Sequence, residues 1–290
     1  MPTLPRIAAA LSGQPDLYAA LRQACRDGPV PMAALMAVLD RETAARLASV
    51  DPGLLTAIMR KGAGGPAIPS APALRAHLAG LVPAPLFRPD PAHTPTIALL
   101  TAGQHPDMPA FSDRAFEAWF AARNRRYGLG AYGEHRTVYE TDQFADAASP
   151  ERRTVHLGID VFAPAGTPIY APIAGRVLSA TYNADPLDYG NTLILQHDGP
   201  STFFTLYGHL APLTLSVGQI ITPGQPIARL GDWPENGGWA AHVHFQVMSD
   251  MLSQSGNFFG VGHVSLLDVW TDILLDPNLI LRIPEAKFRL

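Results

Sequence analysis

The spacing of apolar residues predicts short amphipathic helices in the first third of the chain. Asp16 stands immediately before a run whose apolar residues share one helix face, and an aspartate at that place is a helix-start signal. Asp51, followed by a proline, opens a similar run. No chemically distinctive set of side chains accompanies this pattern. We therefore expect residues 1–82 to form a small α-helical N-terminal region.

Proline dominates the next part of the chain, residues 83–126, which predicts a linker because proline removes a backbone donor and fixes φ. Ser112 precedes three aromatic residues at helical spacing, so one helix is expected inside this linker. A long segment of this kind is usually functional or a connector. We expect it to run along the following domain, and the helical region before it to border that domain's cleft as a lid.

The pattern changes after residue 126, where short β-branched runs alternate with glycine and proline turns at a spacing of about 8–12 residues. This texture is typical of an all-β sandwich or barrel whose strands pair with their sequence neighbours. We therefore expect residues 127–290 to form a mainly antiparallel β domain. The whole chain is then α+β by content.

Composition and charge exclude several classes of protein. The 290 residues carry 21 basic and 25 acidic side chains, which gives a formal net charge of −4. There is no basic excess to hold a phosphate backbone, so we expect no nucleic-acid partner. The single cysteine, Cys25, excludes an intrachain disulfide framework.

Membrane and export signals are absent from the sequence pattern. The apolar run near the N-terminus is shorter than the roughly 7–15 residues of a secretory signal, and no run reaches the roughly 18 residues of a membrane-spanning helix. We expect no transmembrane segment and a cytoplasmic location, with an exported or periplasmic location as the alternative. The sequence leaves the oligomeric state open.

Four of the ten histidines fall into three patterned places in the β-rich part. His156 and Asp160 are four residues apart, and in an extended strand, where side chains alternate, this spacing places both on one face. The spacing of two between His242 and His244 does the same, while His209 follows a third strand-like run. Imidazole nitrogens and a carboxylate oxygen are common zinc ligands. We therefore expect one zinc per chain, with the remaining histidines available for proton transfer.

The stretches HLGID, LYGHL and HVHFQV, in that order, resemble the LytM/lysostaphin-type zinc metallopeptidase domain. The motifs of that family are His-x-x-x-Asp, a histidine after a tyrosine, and His-x-His. The resemblance covers roughly residues 130–285 and implies a LytM-like β-sandwich or hybrid sheet. It implies that His156, Asp160 and His244 are the zinc ligands.

The same resemblance implies roles for four further residues. His209 and His242 would be the catalytic pair beside the metal, and the resemblance does not say which of them acts as the base. Asn191 and Tyr207 would lie in the cleft. Trp239 flanks a glycine-rich loop just before His242, and this place predicts that it lines the cleft as well. For Trp239, a packed structural position in its loop is the alternative.

Two positions depart from the family pattern. Ala241 stands where proline is usual before His-x-His, and Gln246 where glutamate is usual after it. These departures leave the metal chemistry unchanged and the substrate open. The stretches DYGN and PENGGW are more similar to the peptidase-like module that is found fused between a kinase-like phosphotransferase and a class III aminotransferase, although nothing in this chain resembles the aminotransferase.

The function that the resemblance implies is that of a zinc-dependent metalloendopeptidase acting on peptidoglycan or related small-residue peptides. Its partner would be a peptide or a peptidoglycan-derived substrate. Two alternatives stay open: a regulatory or binding module of the same fold without hydrolysis, and a cytosolic amidase acting on small peptides. The presence of all five metal-site residues favours hydrolysis over the binding module.

Overall fold

The computed structural model describes residues 3–100, 105–136 and 144–289. The α-helices in these ranges are α1 (Leu4–Leu11), α2 (Leu17–Ala24), α3 (Met32–Met36), α4 (Arg41–Ala48), α5 (Pro52–Gly62), α6 (Ala71–Gly80), α7 (Ala115–Ala122), α8 (Leu267–Ile273) and α9 (Asn278–Leu281). No helix of the described ranges combines the length and the apolar character needed to cross a bilayer.

Aspartate caps explain where several of these helices begin. The Asp16 carboxylate accepts hydrogen bonds from two backbone amides at the start of α2, and the Asp51 carboxylate does the same at the start of α5. The sequence prediction of a start at Ser112 is wrong, because α7 begins at Ala115, whose amide donates to the Asp113 carboxylate at 2.8 Å. The predicted helical N-terminal region is confirmed.

The β-strands are β1 (Thr96–Ala98), β2 (Tyr127–Gly130), β3 (Val155–His156), β4 (Ile159–Phe162), β5 (Pro168–Tyr170), β6 (Gly175–Asn183), β7 (Gly190–His197), β8 (Phe203–Leu210), β9 (Ile220–Ile221), β10 (Pro226–Arg229), β11 (His242–Met248), β12 (Val261–Gly262) and β13 (Leu274–Leu275). The main sheet has the order β1-β2-β4-β11-β8-β7-β6-β9, with β13 paired to the end of β11. Only its β1–β2 pair is parallel within the described residues, so the predicted mainly antiparallel sheet is confirmed.

The register of three neighbouring strands at the centre of the sheet brings the histidine motifs together. His244 in β11 lies opposite Asp160 in β4 and, on its other side, opposite Gly208 in β8. His156 lies just before β4, in β3, which pairs with β12. Motifs that are far apart along the chain therefore meet on one part of the sheet.

The N-terminal helices and the sheet share one buried apolar cluster, which extends from Ile7 to Ile283. The segment that joins them lies against the β domain, as expected: the Ala84 amide donates to the Pro172 carbonyl and the Tyr170 amide to the Leu86 carbonyl. The division of the chain at residues 82 and 126 stays a prediction.

A second buried cluster lies beside the first and is mostly aromatic. Its core members are Leu99, Phe111, Phe116, Trp119, Phe120, Phe162, Trp239 and Ala240. Helix α7 and the segment before it therefore pack against β4 and the loop that precedes β11.

Candidate metal centre

Three strands bring the side chains of His156, Asp160 and His244 together in the interior. Asp160 Oδ1 lies 3.1 Å from His156 Nε2 and 3.0 Å from His244 Nδ1. The two nitrogens lie 3.0 Å apart. The three atoms converge on one point, as the ligands of a small ion do.

The count of donors and acceptors at this point calls for a cation. His156 Nδ1–H donates to the Ala131 carbonyl at 2.8 Å, so Nε2 carries a lone pair. Asp160 contributes a carboxylate oxygen, and among the three side chains only the His244 imidazole can bring a proton to the point. Buried lone pairs this close repel one another unless a cation or the one available proton lies between them. Zinc, which takes imidazole and carboxylate ligands, fits this donor set.

The position of the His244 ring depends on Gly158. A Cβ at Gly158 would lie 2.5 Å from two atoms of that ring. Any side chain at this position would push His244 away from Asp160, so the glycine between the first two ligands is required for steric reasons.

Arg136, which the sequence analysis missed, supports Asp160 from behind. Its guanidinium donates to Asp160 Oδ2 at 2.7 Å and to Glu134 at 2.9 Å. Burial alone raises the pKa of Asp160, but the charge of Arg136 and the hydrogen bonds to the carboxylate outweigh it and hold the pKa well below its usual value. The carboxylate is therefore charged at neutral pH. Local spacing could not reveal this contact, because the two residues are 24 positions apart.

His209 and His242 lie side by side at the edge of the three converging atoms. Their ring centroids are 4.3 Å apart, and His242 Nε2 lies 3.9 Å from Asp160 Oδ1. Each Nδ1–H donates to a backbone carbonyl at 2.7 Å, that of Asn236 for His209 and that of Ala240 for His242. Both Nε2 atoms therefore carry lone pairs that can accept a proton.

Burial sets the protonation state of this pair. It lowers the pKa of His242 to about 4. At His209, burial and the neighbouring histidines together hold the pKa well below its usual value. Both imidazoles are neutral at pH 7, which is the form that a general base requires.

The converging atoms and the histidine pair open into one pocket of about 350 Å³. Asp160, His209, His242 and His244 line this pocket, and Trp239 lines it with them. His156 lies deeper and is fully buried. The expectation that the N-terminal helical region borders the cleft is wrong for its described residues, because none of them lines the pocket.

Asn191 and Tyr207, which were expected in the cleft, do not line this pocket. The Asn191 amide donates to the Glu235 carbonyl at 3.1 Å and so ties β7 to the loop before β11. Tyr207 is fully buried, with its ring 5.2 Å from that of Phe245. Strand alternation fails here because His209 has φ 62°, so His209 turns into the pocket while Tyr207 packs into the core.

Tyr189 and Gln246 form a second pair that the sequence analysis missed as site residues. The Tyr189 ring lines the pocket and lies 5.5 Å from the His209 ring and 5.2 Å from the His244 ring. Its hydroxyl donates to Gln246 Oε1 at 2.7 Å, and Gln246 Nε2 donates to the Phe259 carbonyl at 2.8 Å. Gln246 differs from the usual family residue, and this departure was the signal that could have pointed to the pair.

Aromatic residues from the second cluster hold His242 from the other side. The Phe162 ring stacks on the His242 ring with centroids 4.5 Å apart. Phe111, which lines the pocket, lies 4.7 Å from Phe162, and its carbonyl accepts from the Ala240 amide at 2.7 Å. The segment before residue 127 therefore contributes to the site, although no local motif marks it.

Comparison with known proteins places the site within a matched stretch of sequence. The family model described as Peptidase family M23 matches residues 154–255. Over 91 residues the chain is 36% identical to the uncharacterized lipoprotein YgeR of Escherichia coli, which covers 31% of this chain and 33% of that protein. Over 93 residues it is 33% identical to the peptidoglycan DD-endopeptidase ShyC of Vibrio cholerae, which covers 32% of this chain and 20% of ShyC.

Among solved structures, the catalytic domain of the antimicrobial peptidase lysostaphin from Staphylococcus simulans aligns with a TM-score of 0.37 at 23% identity, over 57% of this chain and 96% of that one. The chain spans about a third of the length of YgeR and about a fifth of that of ShyC. One of these relatives is named a lipoprotein, so the comparisons lend no support to the expected cytoplasmic location. The similarity to a module fused with an aminotransferase stays a prediction.

Proposed function

Residues 154–255 form a peptidase M23 domain, and we propose on this basis that the chain is a zinc-dependent metalloendopeptidase. The proposed reaction is the hydrolysis of peptide amide bonds, with peptidoglycan-derived or related small-residue peptides as substrates. ShyC, a relative over part of its length, is named a peptidoglycan DD-endopeptidase, which supports this substrate class.

One observation carries the proposal. Three converging ligand atoms, from His156, Asp160 and His244, lie in the same pocket region as two imidazoles with free Nε2 lone pairs. When bound, zinc polarises a substrate carbonyl and lowers the pKa of water. A binding module without hydrolysis has no need of two neutral bases beside such a set, so the arrangement favours an enzyme.

The histidine pair handles protons in the proposed reaction. Because each Nδ1–H is committed to a backbone carbonyl, the side chain of His209 or His242 meets the substrate with Nε2. One Nε2 accepts the proton of the attacking water, and the same proton passes to the other Nε2, which donates it to the developing oxyanion or to the leaving amine.

The walls of the pocket support a peptide substrate with small side chains. Phe111, Trp239, Asp185 and Asp188 are among the residues that line the pocket. A pocket of about 350 Å³ has room for a few small residues next to the converging atoms. Apolar walls with a small number of polar groups are typical of sites that bind and orient a substrate.

The proposal is tested with the purified full chain, zinc, and a panel of peptides, peptidoglycan fragments and small amides, with products read by mass spectrometry. We expect cleavage of internal amide bonds in small-residue peptides, stopped by a chelator and restored by zinc. His242→Ala serves as the matched control for contaminating peptidases. Cleavage that survives both the chelator and this substitution, or zinc-loaded protein that cleaves no member of the panel, would contradict the proposal.

A further inference from the structure

The loop that follows β11, residues 249–260, builds one wall of the pocket. Gln254, Asn257, Phe258 and Phe259 from this loop all line it. The loop has no regular secondary structure, so its shape depends on the contacts that hold it. Those contacts decide what the wall presents to a substrate.

On the pocket side, polar side chains fasten the second half of the loop to the sheet. The Asn257 amide donates to Asp188 Oδ2 at 2.9 Å, and the Thr181 hydroxyl donates to the Gly256 carbonyl at 2.7 Å. Gln246, beneath the Tyr189 hydroxyl, donates to the Phe259 carbonyl. This half of the loop is held by strands β6 and β11 and by the turn between β6 and β7.

The first half of the loop is held from outside the sheet, by Asp51 of the N-terminal helical region. One carboxylate oxygen, Oδ1, caps α5 by accepting from the Gly53 amide at 2.7 Å and the Leu54 amide at 3.1 Å. The other, Oδ2, accepts from Gln254 Nε2 at 2.7 Å and from the Ser253 amide at 3.2 Å, and the Ser253 hydroxyl donates to it as well. A single carboxylate therefore joins a helix start to a pocket-lining residue.

The fit between helix and loop is close around Asp51. A Cβ added at Gly53 would lie 2.8 Å from Leu252 Cβ, so the loop approaches the first turn of α5 as nearly as the backbone allows. Leu252 itself has φ 52°, a conformation that an L-residue rarely adopts unless its surroundings impose it. Burial raises the pKa of Asp51, but the hydrogen bonds from Ser253, Gln254 and the helix amides have the larger effect. The pKa is therefore below its usual value, and the group is a carboxylate at neutral pH.

We propose that Asp51 is a positioning residue for substrate selection: it fixes the loop 249–260 from behind, so that the N-terminal helical region determines which peptides the pocket accepts. This inference rests on the proposed peptidase function. It assigns to the helical region the role of a support for the pocket wall rather than that of a lid. Asp51 lies outside the matched stretch 154–255, so the selectivity of this chain depends on residues beyond its M23 domain.

Asp51→Asn is the sharpest variant, because the amide keeps one oxygen to cap α5 while its NH₂ faces donors of the loop instead of accepting from them. Asp40→Asn is the matched control: Asp40 caps α4 through the Thr43 amide at 2.9 Å and accepts from the Thr43 hydroxyl at 2.8 Å. The Asp40 side chain has no hydrogen bond to the loop 249–260 among the described residues. A loss of helix capping alone would affect both variants alike.

For the full chain with zinc, we expect Asp51→Asn to raise KM about five- to tenfold and to change the ratio of kcat/KM between two peptides of the panel, with zinc content and kcat near those of the wild type. Asp40→Asn should leave KM and the ratio of kcat/KM between the two peptides unchanged. Equal KM and equal selectivity in Asp51→Asn and Asp40→Asn would overturn the inference.

Hydrogen exchange separates failure of this inference from failure of the proposed function. If the loop is held by Asp51, the Ser253 amide and its neighbours exchange faster in Asp51→Asn than in Asp40→Asn, whether or not the chain cleaves any peptide. Ser253→Ala, which removes one bond and leaves the helix cap intact, gives the same readout in a milder form if Asp51→Asn does not fold. Unchanged exchange in the loop of either folded variant would contradict the role of Asp51.

Discussion

Asp160 and Asp272 are both buried carboxylates surrounded by polar and charged groups, yet only one of them lies in a site that calls for a metal. Asp272 accepts from Lys61 at 2.9 Å, from Arg75 at 2.7 Å and from the Ala67 amide at 2.9 Å. Every one of these partners is a donor. The hydrogen-bonding capacity of Asp272 is met by the protein itself, and the result is a structural contact between the N-terminal region and α8.

Asp160 has a charged donor on one oxygen only. Arg136 donates to Oδ2, whereas Oδ1 faces His156 Nε2 and His244 Nδ1 at 3.0–3.1 Å. His156 has already given its proton to a backbone carbonyl, so the atoms around Oδ1 are mainly acceptors. Both carboxylates are buried, but protein donors satisfy Asp272, whereas Asp160 Oδ1 lies among the atoms where we propose that a cation binds.

The difference teaches that the balance of donors and acceptors, rather than burial or the presence of charge, marks a metal site. A buried acid surrounded by donors is a structural ion pair, and removing it costs stability. A buried acid surrounded by lone pairs is a ligand, and removing it costs metal binding and activity. The following predictions use that contrast, beginning with the largest effect.

Asp160→Asn should remove metal and activity. The amide lacks the charge that a zinc ligand supplies, so we expect loss of stoichiometric zinc and a fall in kcat/KM of ~10³-fold or more, measured by metal analysis beside peptide cleavage. Asp272→Asn is the control and should keep its zinc. Retention of zinc and of most activity in Asp160→Asn would break the comparison.

His209→Ala and His242→Ala sharpen the comparison, because both residues border Asp160 without belonging to the converging atoms. We expect each variant to bind zinc as the wild type does and to lose ~10²-fold or more in kcat, since a proton or a developing charge is no longer handled. Metal content and turnover are measured on the same sample. Zinc loss in either variant would show that the ligand set is assigned wrongly.

Asp272→Asn should act on folding alone. Replacing a buried carboxylate that accepts from two cationic side chains lowers the free energy of unfolding by about 2–3 kcal/mol, which denaturant titration measures. Zinc per folded molecule and kcat should stay at wild-type values. A variant that is as stable as the wild type, or that folds but loses zinc, would contradict the structural role of this carboxylate.

Acid should reduce the difference in unfolding free energy between the wild type and Asp272→Asn. Burial raises the pKa of Asp272, but the bonds from Arg75, Lys61 and Ala67 outweigh it and lower the pKa below its usual value. The stabilisation is therefore present above the unfolded pKa of about 3.9 and is lost as pH falls through the lower folded pKa. We expect the gap in unfolding free energy between wild type and Asp272→Asn to be constant from pH 7 to 5 and to shrink towards pH 3. A gap that grows with acid would have the wrong sign.

Sequence reasoning identified the converging residues because their spacing is local. His242 and His244 share one face of β11 through strand periodicity, whereas His156 and Asp160 converge from two strands, β3 and β4, and the family resemblance supplied the roles. The mainly antiparallel sheet followed from short β-branched runs separated by glycine and proline turns. At His209, whose φ is 62°, the backbone departs from the alternation of side chains. The expectation that Tyr207, two residues earlier, lines the cleft was wrong.

The supports of the site could not be predicted in this way, because they come from distant parts of the chain. Arg136 and Phe111 reach the site through tertiary packing, and Asp51 reaches the pocket loop 202 positions away, at Ser253. Their local sequence shows a charge, an aromatic ring and a helix cap, each of which has an ordinary structural use. Only the fold reveals what they contact.

The central claim is that His156, Asp160 and His244 bind one zinc ion. The most direct test is a crystal structure of the full chain grown with zinc, with anomalous diffraction recorded on both sides of the zinc absorption edge. We predict one anomalous peak per chain, with His156 Nε2, Asp160 Oδ1 and His244 Nδ1 at about 2.0–2.2 Å from it. A zinc-soaked crystal with no peak between these three atoms, or with the ion bound by other side chains, would contradict the account.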